Sequence, residues 1–124
     1  MAALMTKKVY KGTDLQIQLI LKDAEGNPYR INKTNEFIIK FFTTDPEVYV
    51  EASYSTGEYT GIIEGEEYDY VVINSTDLDV LEEGLLNYVY NIRFANVDFK
   101  DGFYDEVVKG ETNLFLKSKF TCNE

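Results

Sequence analysis

Hydrophobic and polar residues alternate along most of the chain with the period of two that is typical of β-strands. The longest alternating run has one apolar face formed by Leu86, Tyr88, Tyr90, Ile92 and Phe94. A glycine-containing turn over residues 98–103 follows, and residues 112–120 return as a partner strand. The pattern therefore predicts a long hairpin between Leu85 and Phe120, with strands that belong to the scaffold and a turn that is exposed.

Shorter alternating stretches precede this hairpin. Six further strands are predicted: Thr6–Tyr10, Asp14–Lys22, Glu36–Thr43, Val48–Tyr54, Glu58–Ile63 and Tyr68–Asn74. A turn is predicted at Asp23–Pro28, where Gly and Pro supply the required backbone angles, and Arg30 and Ile31 are expected to begin a strand edge. About eight strands at this spacing indicate a β-sandwich or a small barrel.

One predicted strand, Glu36–Thr43, is apolar on both faces. Phe37, Ile39 and Phe41 lie on one face, while Ile38 and Phe42 lie on the other. A strand of this kind either lies in the centre of a sheet whose two faces are both covered by protein or takes part in an interface.

One stretch, Ser75–Gly84, has the pattern of a short helix. Ser75 or Thr76 is suited to cap it, Leu78 and Leu81 share a face at a spacing of three, and Gly84 is suited to end it. A helix of about two turns is expected to connect strands.

Composition is consistent with a single domain, residues 1–124, large enough to bury a core. The one cysteine, Cys122, excludes an internal disulfide and is expected to be inert. The segment before Lys7 is too short for a signal peptide, and no run approaches the roughly 20 apolar residues of a membrane helix. We therefore expect a soluble protein made in a cytoplasm, with no membrane partner.

The net charge of −10 is unevenly distributed. Residues 1–40 contain seven basic and four acidic side chains, whereas residues 41–84 contain twelve acidic and no basic ones. This segregation fits either head-to-tail contacts between copies or acidic loops that are simply solvated. Nucleic acid is not an expected partner, because the overall field repels phosphate.

Several classes of chemistry are disfavoured by residue type. The chain has no histidine, which removes Ser-His-Asp and Cys-His catalysis and the usual zinc sites. No glycine-rich loop has the form of a phosphate cradle. The acidic stretch Asp77–Glu83 lacks the alternating ligands and central glycine of a calcium loop. The expectation is a protein that is not an enzyme and that uses no cofactor or metal.

Aromatic residues are the candidates for partner contacts, since tyrosine and phenylalanine are common at protein interfaces. Most strand aromatics are expected to fill a core without Trp. The candidate contacts are Phe99, Asp101, Phe103 and Tyr104 in the turn, Phe42 in the two-faced strand and Tyr49 in the strand after it.

Two parts of the chain resemble known virion proteins. Val9–Leu19, followed by Leu21–Ile31 with its D-x-x-G-x-P turn, resembles the opening of immunoglobulin-like domains in tailed-phage virion proteins, such as the N-terminal domains of baseplate upper proteins. Glu83–Tyr88 resembles a strand entry of these domains. Asn96–Phe103 with Glu111–Leu114 is similar to a pattern in structural proteins of Bacteroidales phages, including crAss-like phages.

The resemblance implies an all-β, immunoglobulin-like β-sandwich of about seven or eight strands with one short connecting helix. It also implies a virion protein made in a bacterial host's cytoplasm. A free-standing domain of this kind favours an auxiliary or decoration protein on the capsid, bound to other virion proteins and with possible self-association. A tail, baseplate or head-fibre attachment module is the alternative. A carbohydrate-binding module and an acidic DNA mimic are the remaining hypotheses from residue types alone.

Overall fold

Residues 7–118 are described by the computed structural model, and they form eleven strands and two 3₁₀ helices. The strands are β1 (Lys7–Tyr10), β2 (Leu15–Leu19), β3 (Leu21–Lys22), β4 (Pro28–Tyr29), β5 (Glu36–Phe42), β6 (Val50–Ser55), β7 (Glu58–Thr60), β8 (Ile62–Glu64), β9 (Asp69–Ile73), β10 (Gly84–Ala95) and β11 (Phe103–Lys117). The 3₁₀ helices span Ile31–Lys33 and Ser75–Val80. The predicted end of the last strand at Phe120 and the residue Cys122 lie outside the described residues.

The strand order is that of an immunoglobulin-like sandwich of the variable type. A six-stranded sheet has the order β1-β11-β10-β5-β6-β7, and a three-stranded sheet has the order β2-β9-β8. These correspond to the G-F-C-C′-C″ and B-E-D orders, with β1 added in parallel to β11. The prediction of an all-β sandwich is confirmed. A small β3–β4 hairpin lies between the second and fifth strands in sequence.

More strands form than the alternation predicts, because two predicted strands divide and Pro28–Tyr29 pairs with β3 as an additional strand, β4. Glu58–Ile63 splits at Gly61, whose φ of +72° favours glycine, and β7 and β8 then join different sheets. A Cβ at this position would also approach the Cβ of Ala52 to 3.2 Å. The stretch Asp14–Lys22 divides around Ile20, which is 54% exposed.

Four local predictions differ from the structure. The strand that returns from the long hairpin's turn, predicted over residues 112–120, begins at Phe103 as β11, so Phe103 and Tyr104 lie in a strand and not in the turn. The predicted helix over 75–84 is a 3₁₀ helix without a side-chain cap, and Gly84 begins β10 instead of ending the helix. Arg30 and Ile31 do not start a strand, because the chain enters the other 3₁₀ helix there. Val48 lies in a turn and is exposed, so β6 begins two residues later than predicted.

The core follows from the alternation of the central strands. In β5, Phe37, Ile39 and Phe41 are at most 2% exposed, and the three-stranded sheet contributes Ile62, Val71 and Ile73 from the opposite side. Both 3₁₀ helices add to the core through Ile31, Leu78 and the adjacent Leu81. These short elements are therefore held by the apolar side chains that they bury.

An ion pair between a buried carboxylate and a partly exposed guanidinium connects the three-stranded sheet to the segment before β5. Asp69 begins β9 and is 2% exposed. Its Oδ1 accepts a hydrogen bond from Nη2 of Arg30 (2.9 Å), and its Oδ2 accepts one from the backbone N–H of Ile31 (3.0 Å). The same Nη2 donates to the carbonyl of Gly65 (2.8 Å). One carboxylate thus fixes the segment before β5 to the three-stranded sheet.

Replacing Asp69 with Asn is expected to lower the free energy of unfolding by about 2–4 kcal/mol, because the negative charge opposite Arg30 is lost and one acceptor oxygen becomes an NH₂ group that faces a donor. Urea denaturation measures the change. The matched control is Asp105→Asn, which removes a carboxylate paired with Arg93 at the surface and should change stability little. Equal effects of the two substitutions would contradict a central role for the Asp69–Arg30 pair.

Candidate binding surfaces

The turn between β10 and β11 is a closed, hydrogen-bonded loop. The backbone N–H of Asn96 donates to the carbonyl of Gly102 (2.8 Å), and the N–H of Gly102 donates to the carbonyl of Phe99 (2.9 Å). The side-chain oxygens of Asn96 and Asp101 accept from the N–H groups of Asp98 and Phe103. The loop therefore presents its side chains in a fixed arrangement.

Four aromatic rings meet on the inner side of this hairpin's end. Phe94 and Tyr104 are cross-strand partners with ring centroids 6.5 Å apart. Phe99 lies 5.5 Å from Tyr104, and Tyr29 of the β3–β4 hairpin meets Phe94 edge-on at 5.8 Å. We call the depression that these rings line the aromatic groove.

The aromatic groove has a cavity volume of about 530 Å³. Its polar and small lining residues are Lys22, Asp23, Ala24, Asn96 and Glu106. The groove thus joins the β10–β11 hairpin to the β3–β4 hairpin. It combines aromatic surface with hydrogen-bonding groups of both kinds, donors and acceptors.

Burial raises the pKa of Tyr29 from 10.0 to about 12, and the neighbouring Tyr90, Glu106 and Asp23 add to the shift. Burial likewise raises the pKa of Tyr90. Both phenols therefore stay neutral, with their hydroxyl protons in place, across the physiological pH range.

A second surface is the outward side of the six-stranded sheet, which we call the outer face. Because Phe37, Ile39 and Phe41 point into the core, the alternate residues of β5 point outward. Strand register then defines four rows across β5, β10 and β11: Glu36–Arg93–Asp105, Ile38–Asn91–Val107, Lys40–Val89–Lys109 and Phe42–Asn87–Glu111. The outer face mixes apolar residues with charges of both signs.

The first two rows surround a shallow depression of about 340 Å³. Ile38 and Val107 stand on either side of Asn91, and Val107 is 61% exposed. Arg93 bounds the depression and donates from Nε and Nη2 to both carboxylate oxygens of Asp105 (2.7 and 3.1 Å). These hydrogen bonds hold the pKa of Asp105 below its usual value.

Four of the six predicted contact residues lie at the two surfaces. Phe99 and Tyr104 line the aromatic groove, whereas Phe103 lies under the guanidinium of Arg93, with 4.6 Å from its ring centroid to Cζ. Phe42 is half-buried on the outer face.

The other two predicted contact residues are Tyr49 and Asp101. Tyr49 is 39% exposed, and its ring lies 4.5 Å from Nζ of Lys40. Asp101 is exposed and caps the turn through its hydrogen bond to Phe103. The six residues therefore do not form one site, and their role as contacts stays a prediction.

Sequence reasoning missed Tyr29, Asn96 and Glu106 as groove residues, along with Lys22 and Asp23. The signal available was the alternation itself, which places Glu106 on the same side of β11 as Tyr104. Nothing local to the β3–β4 hairpin indicates that Tyr29 meets Phe94, because that contact depends on the sandwich packing.

Residues 7–118 contain no group of three or more Cys, Asp or Glu side chains arranged to hold a metal ion. In the same residues, no helix has the length and apolar character needed to cross a membrane. Comparison with protein-family models, with curated proteins and with solved structures finds no match to the chain. A functional proposal must therefore be supported by the two surfaces and by the sequence resemblance.

The free energy of unfolding should fall as the pH rises from about 10 to about 12, since unfolded Tyr29 loses its proton near 10.0 and folded Tyr29 near 12. Within that window unfolding releases a proton, so higher pH favours the unfolded state. Denaturant titrations across the window measure the slope of stability against pH. The Tyr29→Phe variant should show a smaller slope, and an unchanged slope would contradict the assignment.

Proposed function

We propose that the chain is a non-enzymatic structural protein of a tailed-phage virion, bound to the capsid as an auxiliary or decoration protein through its outer face. The observation that carries the proposal is the group of four apolar side chains on that face, Ile38, Phe42, Val89 and Val107. The sequence resemblance supplies the virion context, and an all-β sandwich is the fold that the resemblance implies.

The outer face differs from the polar face expected of a solvated antiparallel sheet. Ile38, Val89 and Val107 lie at its centre, and Phe42 lies in the row beside them. None of these side chains is needed in the core, which the opposite side of the same strands fills. Apolar residues on both sides of β5 support a surface that another protein covers.

Charged residues are placed between the apolar ones. Lys40 and Lys109 stand on either side of Val89, and the row of Glu36, Arg93 and Asp105 contains both signs. Such interleaving favours one docking register over others, because like charges brought together cost free energy. The depression between Ile38 and Val107 has room for a partner's apolar side chain. A tail, baseplate or head-fibre position would use the same face and is the alternative placement.

Incorporation into particles tests the outer face. Epitope-tagged copies of the chain are supplied from a plasmid during infection, and purified particles are assayed for the tag. We expect Val107→Asp to reduce incorporation by at least about tenfold, since an unpaired charge buried at an interface costs more than about 1.4 kcal/mol.

Val80→Asp is the matched control, because Val80 is 60% exposed and lies in a connecting 3₁₀ helix away from the outer face. It should be incorporated like the unmodified chain. If both variants are incorporated normally and both are folded by circular dichroism, the outer face is not the attachment surface. A Phe103→Ser variant extends the test to the end of the outer face. We expect this variant to reduce incorporation less than Val107→Asp does.

A further inference from the structure

We propose that the aromatic groove is a binding site for a neutral sugar ring. The proposal does not depend on the virion role, since it concerns another surface of the chain and is tested on the purified protein. It rests on three properties of the groove: its aromatic walls, its unused hydrogen-bonding groups and the presence of charges of both signs among its lining residues.

The aromatic walls provide apolar surface at the mouth of the groove. Phe99 is 46% exposed although its ring contacts Tyr104, so much of the ring remains open to a ligand. Tyr29 and Tyr104 each combine an apolar ring with a hydroxyl group. The C–H faces of a sugar ring are apolar, whereas its edge carries hydroxyl groups, and this lining matches both parts.

The polar lining residues have hydrogen-bonding groups to spare. Within residues 7–118, neither the Glu106 carboxylate nor the Lys22 ammonium has a hydrogen bond or an ion pair. Asn96 uses its side-chain oxygen to accept from the N–H of Asp98, which leaves its amide NH₂ as a donor. The groove therefore offers both acceptors and donors, which sugar hydroxyls require because each both donates and accepts.

The charged lining residues are the acidic Asp23 and Glu106 and the basic Lys22. The two carboxylates oppose an anion, and Lys22 partly offsets their attraction for a cation. A neutral ligand with many hydroxyls interacts with all three. The volume of about 530 Å³ lies within the range of small-molecule sites, roughly 300–1,000 Å³, and is sufficient for one or two sugar rings.

The groove is also formed before any ligand binds. The loop hydrogen bonds between Asn96, Phe99 and Gly102 hold one wall. The opposite wall is held by Asp23, whose Oδ1 accepts from the N–H groups of Glu25 and Asn27 at 2.9 Å each. A rigid, shallow groove needs no ordering of its loops when a small ligand binds, but it offers the ligand a limited contact area.

The test is a titration of the purified chain with the methyl glycosides of glucose, galactose, mannose and N-acetylglucosamine, followed by NMR signals of the tyrosine and phenylalanine rings. For a ligand of about a dozen non-hydrogen atoms we expect a dissociation constant on the order of 1 mM for at least one glycoside. Phe99→Ser should weaken binding about three- to tenfold, and Glu106→Gln should also weaken it.

Tyr49→Ser is the matched control for Phe99→Ser, because it removes an aromatic ring of similar exposure outside the groove. It should leave sugar binding unchanged. No ring-signal change with any glycoside at roughly twenty times the expected dissociation constant would overturn the proposal. Tighter binding of arginine or tetramethylammonium than of every glycoside would overturn it too, and would assign the groove to a cation instead.

Discussion

One carboxylate, that of Asp69, holds the three-stranded sheet to the segment that leads into β5 of the other sheet. Asp69 begins β9 in the three-stranded sheet and binds both the guanidinium of Arg30 and the backbone of Ile31, just before β5. Removing a charge of this kind from water is favourable only when its hydrogen bonds are satisfied, and here both oxygens have donors. Because Arg30 directly follows Tyr29, the same pair also positions one wall of the aromatic groove.

Alternation alone predicts the central strands and the side of each strand that is buried. In β5 and β10 the predicted faces are the observed ones, since every second residue must leave water when a second sheet covers the first. Alternation does not predict the positions at which a strand divides. Gly61 marks a turn from one sheet to the other, but the sequence around it continues to alternate. Likewise, Ile31 fits a strand pattern, yet it is the buried first residue of a 3₁₀ helix. The hydrogen bond from its backbone N–H to Asp69 holds this helix in place.

The candidate surfaces were partly predictable for the same reason. Phe103 and Tyr104 are adjacent in sequence and therefore point to opposite sides of β11, which separates the predicted contact residues into an outer-face group and a groove group. Tyr29 was not predictable, because its contact with Phe94 crosses between two hairpins distant in sequence. The groove and the outer face lie on different sides of the β10–β11 hairpin. In the proposed virion role, one side of the hairpin is available for attachment while the other stays accessible.

Quantitative mass spectrometry of purified phage particles can show whether the chain is a component of a virion, as we propose. We expect the chain in a fixed number of copies per particle, with an amount that stays constant relative to the major capsid protein through density-gradient purification. A capsid decoration protein should be present at a copy number comparable to that of the capsid subunits. Abundance in infected cells combined with absence from purified particles would rule out the virion role.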